Sequence, residues 1–380
     1  MKIALNNPHL NSLFSYHGYV KYLLEHEEVK VLFFSDHRAL SFLKGLKSYI
    51  KRNSLINFLN LDDFDIVFSA KSLSSRADVL LDMNLLCGSL EYELPMSLKH
   101  FDGLKIAHIG DYFWYHPTSS KNKRLEAVGI DHLFGYSMHD RYCGFFHENF
   151  PQYRGKTWGI PFGFESRFDN KKIFKDRINK VVALGSVRPL RPPLVSLNNY
   201  MESSDYFSND DWFHRFRRRL SENKDELSGV MDSMLPEFPK NRNIKYDLPS
   251  KFNNYKMFTS CESIYNFPSA KVYEGMASGS ALVCADHDCN KDIGLIDNEN
   301  CIMFEYENIE KFSSKVEYFQ RNPEKLEKIA RQGEKFTQLN YTHNKIANLV
   351  VDTITRIVKD PSIDATPIRE MLPTNINNNT

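Results

Sequence analysis

Short apolar runs alternate with longer amphipathic stretches along the first half of the chain. Lys2–Leu5, Val29–Phe34, Asp65–Ser69 and Leu104–Ile109 are predicted strands, and Leu13–Leu24 and Arg38–Ile50 carry apolar residues at helical spacing. Strand and helix in alternation argue for a parallel sheet with crossover helices. A second series starts at Lys180–Gly185 and continues through Ile244–Tyr246, Met257–Ser260, Ala281–Ala285 and Cys301–Phe304. Its helical stretches are Asp211–Glu222, Pro268–Ser278, Ile309–Gln320, Pro323–Phe336 and Asn344–Ile357. Two such series of similar length predict two Rossmann-like domains. Each would bind ligand beyond the carboxyl ends of its strands, where the strand order reverses. From Asp360 to Thr380 the periodicity fades into Asn-Ile-Asn-Asn-Asn-Thr, which predicts a frayed tail.

Length agrees with two cores, since 380 residues is long for one. With 42% hydrophobic residues, 26% charged residues and a net charge of +1, the chain has no global pull toward a polyanion. Val79–Leu81 and Val31–Phe34 are far too short to span a bilayer, and the start lacks the apolar region of a signal peptide. Six cysteines, at 87, 143, 261, 284, 289 and 301, form no CxxC pair, so neither a disulfide framework nor a zinc site is expected. These features predict a cytoplasmic protein, with contact to the inner membrane face left open.

Two stretches carry candidate chemistry. Trp158–Phe168 (WGIPFGFESRF) is punctuated by Pro161 and Gly163 and reads as a linker between the two series. Ser269–Asp286 (SAKVYEGMASGSALVCAD) places Lys271 and Glu274 one turn apart, ahead of small residues and a short apolar strand. Pro268 suits the first turn of a helix, which leaves the N–H groups of Ser269, Ala270 and Lys271 to face an anion. Lys271 would then reach a phosphate while Glu274 accepts from a sugar hydroxyl. The plain alternative is a solvated i,i+3 ion pair on a surface helix.

Together these stretches resemble the GT-B glycosyltransferases. Trp158–Phe168 is similar to their interdomain segment, Ser269–Asp286 to their donor-site signature, and Ile296–Phe304 (IDNENCIMF) to the turn that follows it. The resemblance implies two Rossmann-like domains facing across a cleft. Residues 1–160 would bind the acceptor and 161–343 the donor. A helix over 344–358 would cross back, and 359–380 would form a flexible tail. It implies a nucleotide diphosphate sugar as donor substrate, bound by Ser269, Ala270, Lys271 and Glu274. Arg188, with Arg191 second, would grip the diphosphate after the Gly185 turn. No cofactor and no metal are expected.

The pattern departs at one position. Retaining relatives carry a glutamate eight residues before that of the donor helix; here it is Asn266, which hydrogen-bonds without charge and leaves sugar identity and stereochemistry open. An inverting transfer needs a base from the first domain. Asp111 and His108, after a predicted strand and beside Tyr112, Trp114 and Tyr115, are the candidates, with His108 equally readable as a satisfied core histidine. The Asn6-Asn7-Pro8-His9 loop is a weaker one. Asp63-Phe-Asp65 and Asp286-His-Asp288 spell D-x-D without requiring a metal. Basic clusters at Lys44/Lys47/Lys51/Arg52 and His214/Arg215/Arg217/Arg218/Arg219 read first as solvated helix faces. They also leave room for an anionic acceptor such as a glycolipid phosphate, an acidic glycan or nucleic acid with modified bases. The function expected is transfer of a hexosyl or pentosyl group to an acceptor hydroxyl in surface-glycan synthesis. The rivals are glycosylation of DNA bases, a nucleotide-sugar epimerase and a silent glycan-binding module.

Overall fold

The computed structural model describes residues 1–6, 18–34, 65–83, 94–110, 118–185, 187, 215–236, 247–260 and 267–373. The expected helix Arg38–Ile50, the expected strand Ile244–Tyr246 and the Lys44–Arg52 cluster lie outside them. The chain divides into two compact units, changing from the first to the second between Ile160 and Pro161, back between Ile346 and Ala347, and to the second again between Thr366 and Pro367.

The first unit is built on a parallel sheet in the order β3-β2-β1-β4-β5-β6-β7. In chain order these are Lys2–Asn6, Lys30–Phe34, Ile66–Val67, Val79–Asp82, Leu104–Ile109, His132–Gly135 and Thr157–Gly159. β1 reads KIALN with all but its first residue buried, the near-continuous burial of a strand covered on both faces. Val79–Asp82, fully buried, is a central strand next to β1, a role its brevity concealed in the sequence. Helices α1 (Val20–Leu24), α2 (Ala70–Ser74) and α3 (Thr118–Val128) belong to the same unit. Chain direction reverses across the sheet between β1 and β4, so that pair is its topological switch point.

The second unit has a five-stranded parallel sheet in the order β12-β11-β10-β8-β9. These strands are Ile178–Leu184, Met231–Met234, Tyr255–Thr259, Ala281–Ala285 and Ile302–Phe304, numbered β8 to β12 along the chain. Its switch point is the β8–β10 pair, in register at Val182↔Phe258 and Ala183↔Thr259. The principal helices are α4 (Arg215–Glu222), α5 (Leu248–Asn254), α6 (Ala270–Ala277), α7 (Ile309–Arg321) and α8 (Pro323–Asn340). Asn308 caps α7 by accepting from the Lys311 amide at 2.9 Å, and Pro323 opens α8 where its missing N–H costs nothing. Helix α9 (His343–Lys359) contains the return from the second unit to the first.

The chain stays folded well beyond Asp360, against the frayed tail expected from the sequence. Ala365, Ile368 and Leu372 are buried, and the Ala365 amide donates to the Gly155 carbonyl at 2.6 Å. Three spaced apolar side chains and one backbone bond anchor the segment where helical periodicity is absent.

Candidate functional site

A polar site of the second unit is built on α6, whose geometry follows from its sequence. Its first helical residue is Ala270, with Ser269 as N-cap in extended conformation. Pro268 therefore precedes the cap, two residues ahead of the position expected from the sequence. The consequence for the amides is the same, because a helix leaves its leading N–H groups without intrahelical acceptors. The Ser269 hydroxyl lies 2.7 Å from that of Ser260, which ties the helix start to the end of β10.

Two glycines set how close this helix lies to the sheet and how it ends. A Cβ on Gly275 would overlap the Phe258 ring of β10, so the helix lies against the sheet at a distance only glycine permits. Gly279, at φ 70°, ends the helix in a left-handed turn. Its amide donates to the Met276 carbonyl at 2.9 Å and the Ser280 amide to that of Gly275 at 3.3 Å, the paired bonds of a Schellman cap. Ser278 fixes the same end from outside: its hydroxyl donates to the Phe168 carbonyl at 2.8 Å, and its carbonyl accepts from Arg177 at 2.8 Å. The small-residue run after Glu274 is thus the closing turn of the helix and its anchor to the 165–177 segment.

Held this way, α6 presents Lys271 and Glu274 differently. Lys271 is half-buried, whereas Glu274 is 6% exposed. No described side chain donates a hydrogen bond to the Glu274 carboxylate. Burial pushes its pKa above the usual carboxylate range, against the pull of Lys271 and Arg167, with Glu165 adding to the push. A buried carboxylate without donors is costly to keep charged and gains from hydroxyl groups brought to it. The solvated i,i+3 pair is therefore not what the structure contains at this position. Arg167 pairs with Glu165 at 3.1 Å and lies over the Phe168 ring, 4.7 Å from its centroid.

The other expected features have different fates. The linker divides: Trp158 and Gly159 end β7 of the first sheet, and from Pro161 it belongs to the second unit, where Phe164 pairs with Thr342 in a parallel bridge, its amide donating to the Tyr341 carbonyl at 3.1 Å. A Cβ on Gly163 would strike the His343 ring. The Asp-Asn-Glu-Asn stretch is a structural turn: Asp297 accepts from the Met303 amide at 2.7 Å and pairs with Lys315 at 2.9 Å, while Asn298 adopts φ 61°. Asp286 and Asp288 share the Lys291 ammonium, at 2.6 and 3.6 Å. Among the described residues no group of three His, Cys, Asp or Glu side chains is arranged to hold a metal ion.

In the first unit His108 occupies the end of β5, 2% exposed, with Nε2 2.6 Å from the Tyr19 hydroxyl and its ring edge-on to Phe134. Sequence reasoning missed its neighbour on the adjacent strand. Asp82 ends β4 fully buried and accepts from the Asn6 amide group at 2.6 Å. The signal for it was an acid closing an apolar run, Val79-Leu-Leu-Asp82. Asp111, Arg188, Arg191 and Asn266 lie outside the described residues.

Comparison with known proteins follows the same lines. Residues 211–352 match a family model described as glycosyl transferase-like. No curated protein matches the chain at the level of sequence. HepE of Anabaena, solved in complex with UDP, superposes with a TM-score of 0.56 at 9% identity, covering 94% of this chain and 100% of HepE. A glycosyltransferase of Rickettsia africae ESF-5 gives 0.54 at 13% identity over 94% of this chain and 99% of its own. The sucrose-phosphate synthase of Thermosynechococcus elongatus gives 0.51 at 12% identity over 95% and 100%. No described helix is long and apolar enough to cross a membrane. The chain has the GT-B fold of glycosyltransferases, and its second unit carries most of a glycosyl transferase-like sequence match.

Proposed function

We propose that the protein is a glycosyltransferase that takes a hexosyl or pentosyl group from a nucleotide diphosphate sugar and passes it to an acceptor hydroxyl, in the synthesis of a surface glycan. The observation that carries this reading is Glu274: a buried carboxylate without a side-chain donor among the described residues, one turn into a helix that starts beside the switch point of a parallel sheet. Ribose hydroxyls supply donors to the Glu274 carboxylate. The Ser269 and Ala270 amides, the helix dipole and the Lys271 ammonium supply positive potential for the diphosphate. Similarity to HepE, whose structures contain UDP and UDP-glucose, favours uracil as the base.

In the transfer, the bond from the anomeric carbon to the diphosphate oxygen breaks and the same carbon joins the acceptor oxygen, which gives up its proton. Charge grows on the leaving diphosphate, and fixed cations and oriented amides stabilise it without rearranging, as electrostatic catalysis requires. The reaction proposed is metal-independent on that basis. The acceptor is a glycan or glycolipid.

Thermal stabilisation by UDP, GDP, ADP and TDP and their sugars tests the reading. A ligand at a hundred times its dissociation constant adds about 2.7 kcal/mol to stability. One nucleotide series should shift the wild type and fail to shift Lys271→Ala, and the matching nucleotide sugar should release its diphosphate on adding acceptor. No shift from any of the series contradicts the proposal.

A further inference from the structure

Helices α7 and α8 enclose a surface groove of about 680 Å³ in the second unit. The helical repeat decides what lines it. On α7, Phe312, Val316 and Phe319 turn to the core, which leaves Lys315 and Tyr318 together on the outer face. On α8, Leu326, Ile329 and Ala330 are buried, which leaves Lys325 and Lys328 outward in the same way. Both of these i,i+3 pairs line the groove, over a floor formed by buried Phe319 and Ile329. Tyr318 is 45% exposed, and its hydroxyl accepts from Lys325 at 2.6 Å across the two helices.

The positive charge of this groove is not cancelled locally. Asp297 pairs with Lys315 at 2.9 Å and accepts from the Met303 amide as well. The acids nearest the other lysines are engaged elsewhere: Glu317 holds Arg321 at 3.2 Å and Glu327 holds Arg331 at 2.6 Å, each along its own helix. Glu324 stands in the first turn of α8, where the helix dipole favours it. Lys325 spends one donor on a phenol, with its ammonium 5.3 Å from the ring centroid. Lys328 is exposed and pairs with no carboxylate among the described residues.

We propose that this groove binds an acidic oligosaccharide and so holds a glycan chain at a site separate from α6. The choice of a glycan as occupant rests on the proposed function; the basic groove does not. A half-exposed phenol ring offers an apolar face to the C–H side of a pyranose. Ammonium groups on either side take the carboxylates or sulfates of adjoining residues. Lysine suits this task because a mobile point charge follows an anion whose position varies along a chain, whereas the arginine fork fixes one geometry. The groove abuts the turn that enters β12, whereas α6 starts past the carboxyl end of β10 in the same parallel sheet. A chain held here leaves the donor helix open.

Affinity electrophoresis of the whole chain in native gels cast with polygalacturonate, neutral dextran or single-stranded DNA tests the assignment, each against a gel without polymer. Polygalacturonate should retard the wild type and dextran should not. Lys325→Gln/Lys328→Gln should weaken that retention by at least about tenfold, the size of one charge-assisted contact. Tyr318→Ser should weaken it by about threefold to tenfold, the range for an aromatic contact. Lys335→Gln, an exposed lysine of α8 outside the groove, should match wild type. No retention of the wild type, equal retention by dextran, or retention unchanged in the double variant overturns the assignment. Retention by DNA that the double variant abolishes gives the groove to nucleic acid and overturns it too. Nucleotide binding is read separately by thermal shift. If the wild type binds no nucleotide yet polygalacturonate retains it through these residues, the groove stands and the donor reading falls; the converse result removes the groove alone.

Discussion

The two parallel sheets of this chain meet the same topological problem in opposite ways. At the switch point of the first, the strand ends carry Asn6 and Asp82, bonded to each other at 2.6 Å, and nearby His108 is bonded to Tyr19 at 2.6 Å. At the switch point of the second lie a glycine with a guanidinium against it, a pair of serines, and a helix whose buried glutamate has no described donor. The named side chains of the first place are bonded to one another; at the second the buried glutamate has no side-chain donor among the described residues. A buried polar group that is already partnered contributes stability, whereas one left short of partners costs stability until a ligand supplies them. On the proposed function the second place is the one that binds ligand, where topology alone would nominate both.

Acid should bring out what the two units share. His139 in the first and His343 in the second are both held down to about 4, each chiefly by burial. The unfolded chain binds these protons at about pH 6.5 and the folded chain only near 4, so stability is present above 6.5 and is lost as pH falls through that window. Linkage puts the loss at about 3 kcal/mol for each histidine. Equilibrium unfolding in denaturant from pH 7 to 4 should show it, and His343→Gln should halve the slope. Both units staying flat over that range would contradict the burial of these rings.

The next effects should separate the two switch points. Glu274→Ala should weaken the winning nucleoside diphosphate by about a hundredfold in calorimetric titration, the size of two lost hydrogen bonds to charge, and leave the melting temperature at or above that of wild type. Tyr19→Phe should do the reverse. It removes the partner of a buried histidine and should cost about 1–2 kcal/mol in urea unfolding, with nucleotide affinity unchanged. Loss of nucleotide affinity in that variant would erase the contrast. Gly275→Ala should cost about 1 kcal/mol net in the same unfolding measurement, the overlap with Phe258 outweighing the gain in helix propensity.

Much of the second unit was legible in the sequence because its elements are local. Val272, Tyr273, Met276 and Ala277 give α6 its buried face, and Gly279 ends it by a turn that needs only neighbouring residues. Lys271 and Glu274 are placed by that helix alone. What the sequence hid is what depends on distant partners. The guanidinium of Arg217 reaches Gly185, 32 positions away (217 − 185), and Asp82 meets Asn6 across 76 residues. No periodicity signals either pairing. The brevity of Val79–Asp82 hid a central strand, because a fully buried strand of four residues has no alternation to reveal it. Asp297 was legible as a family motif, yet its carboxylate closes a turn through Met303 and Lys315, so the motif carries fold in this chain.

The central claim is that Glu274 awaits ligand hydroxyls, and Glu274→Gln tests it most directly because the amide keeps the shape and removes the charge. Burial raises the pKa of Glu274, so protons are bound more tightly in the folded state, and its ionisation lowers stability as pH rises above the ordinary carboxylate range. Calorimetric titration of wild type and variant with the nucleoside diphosphate that stabilises the wild type, alongside the melting temperature of each free protein at pH 7, is the decisive pair of readings. The account predicts affinity reduced at least about tenfold together with an unchanged or higher melting temperature for the variant. Equal affinity in the two proteins, or a variant that melts earlier and binds as well, would contradict it.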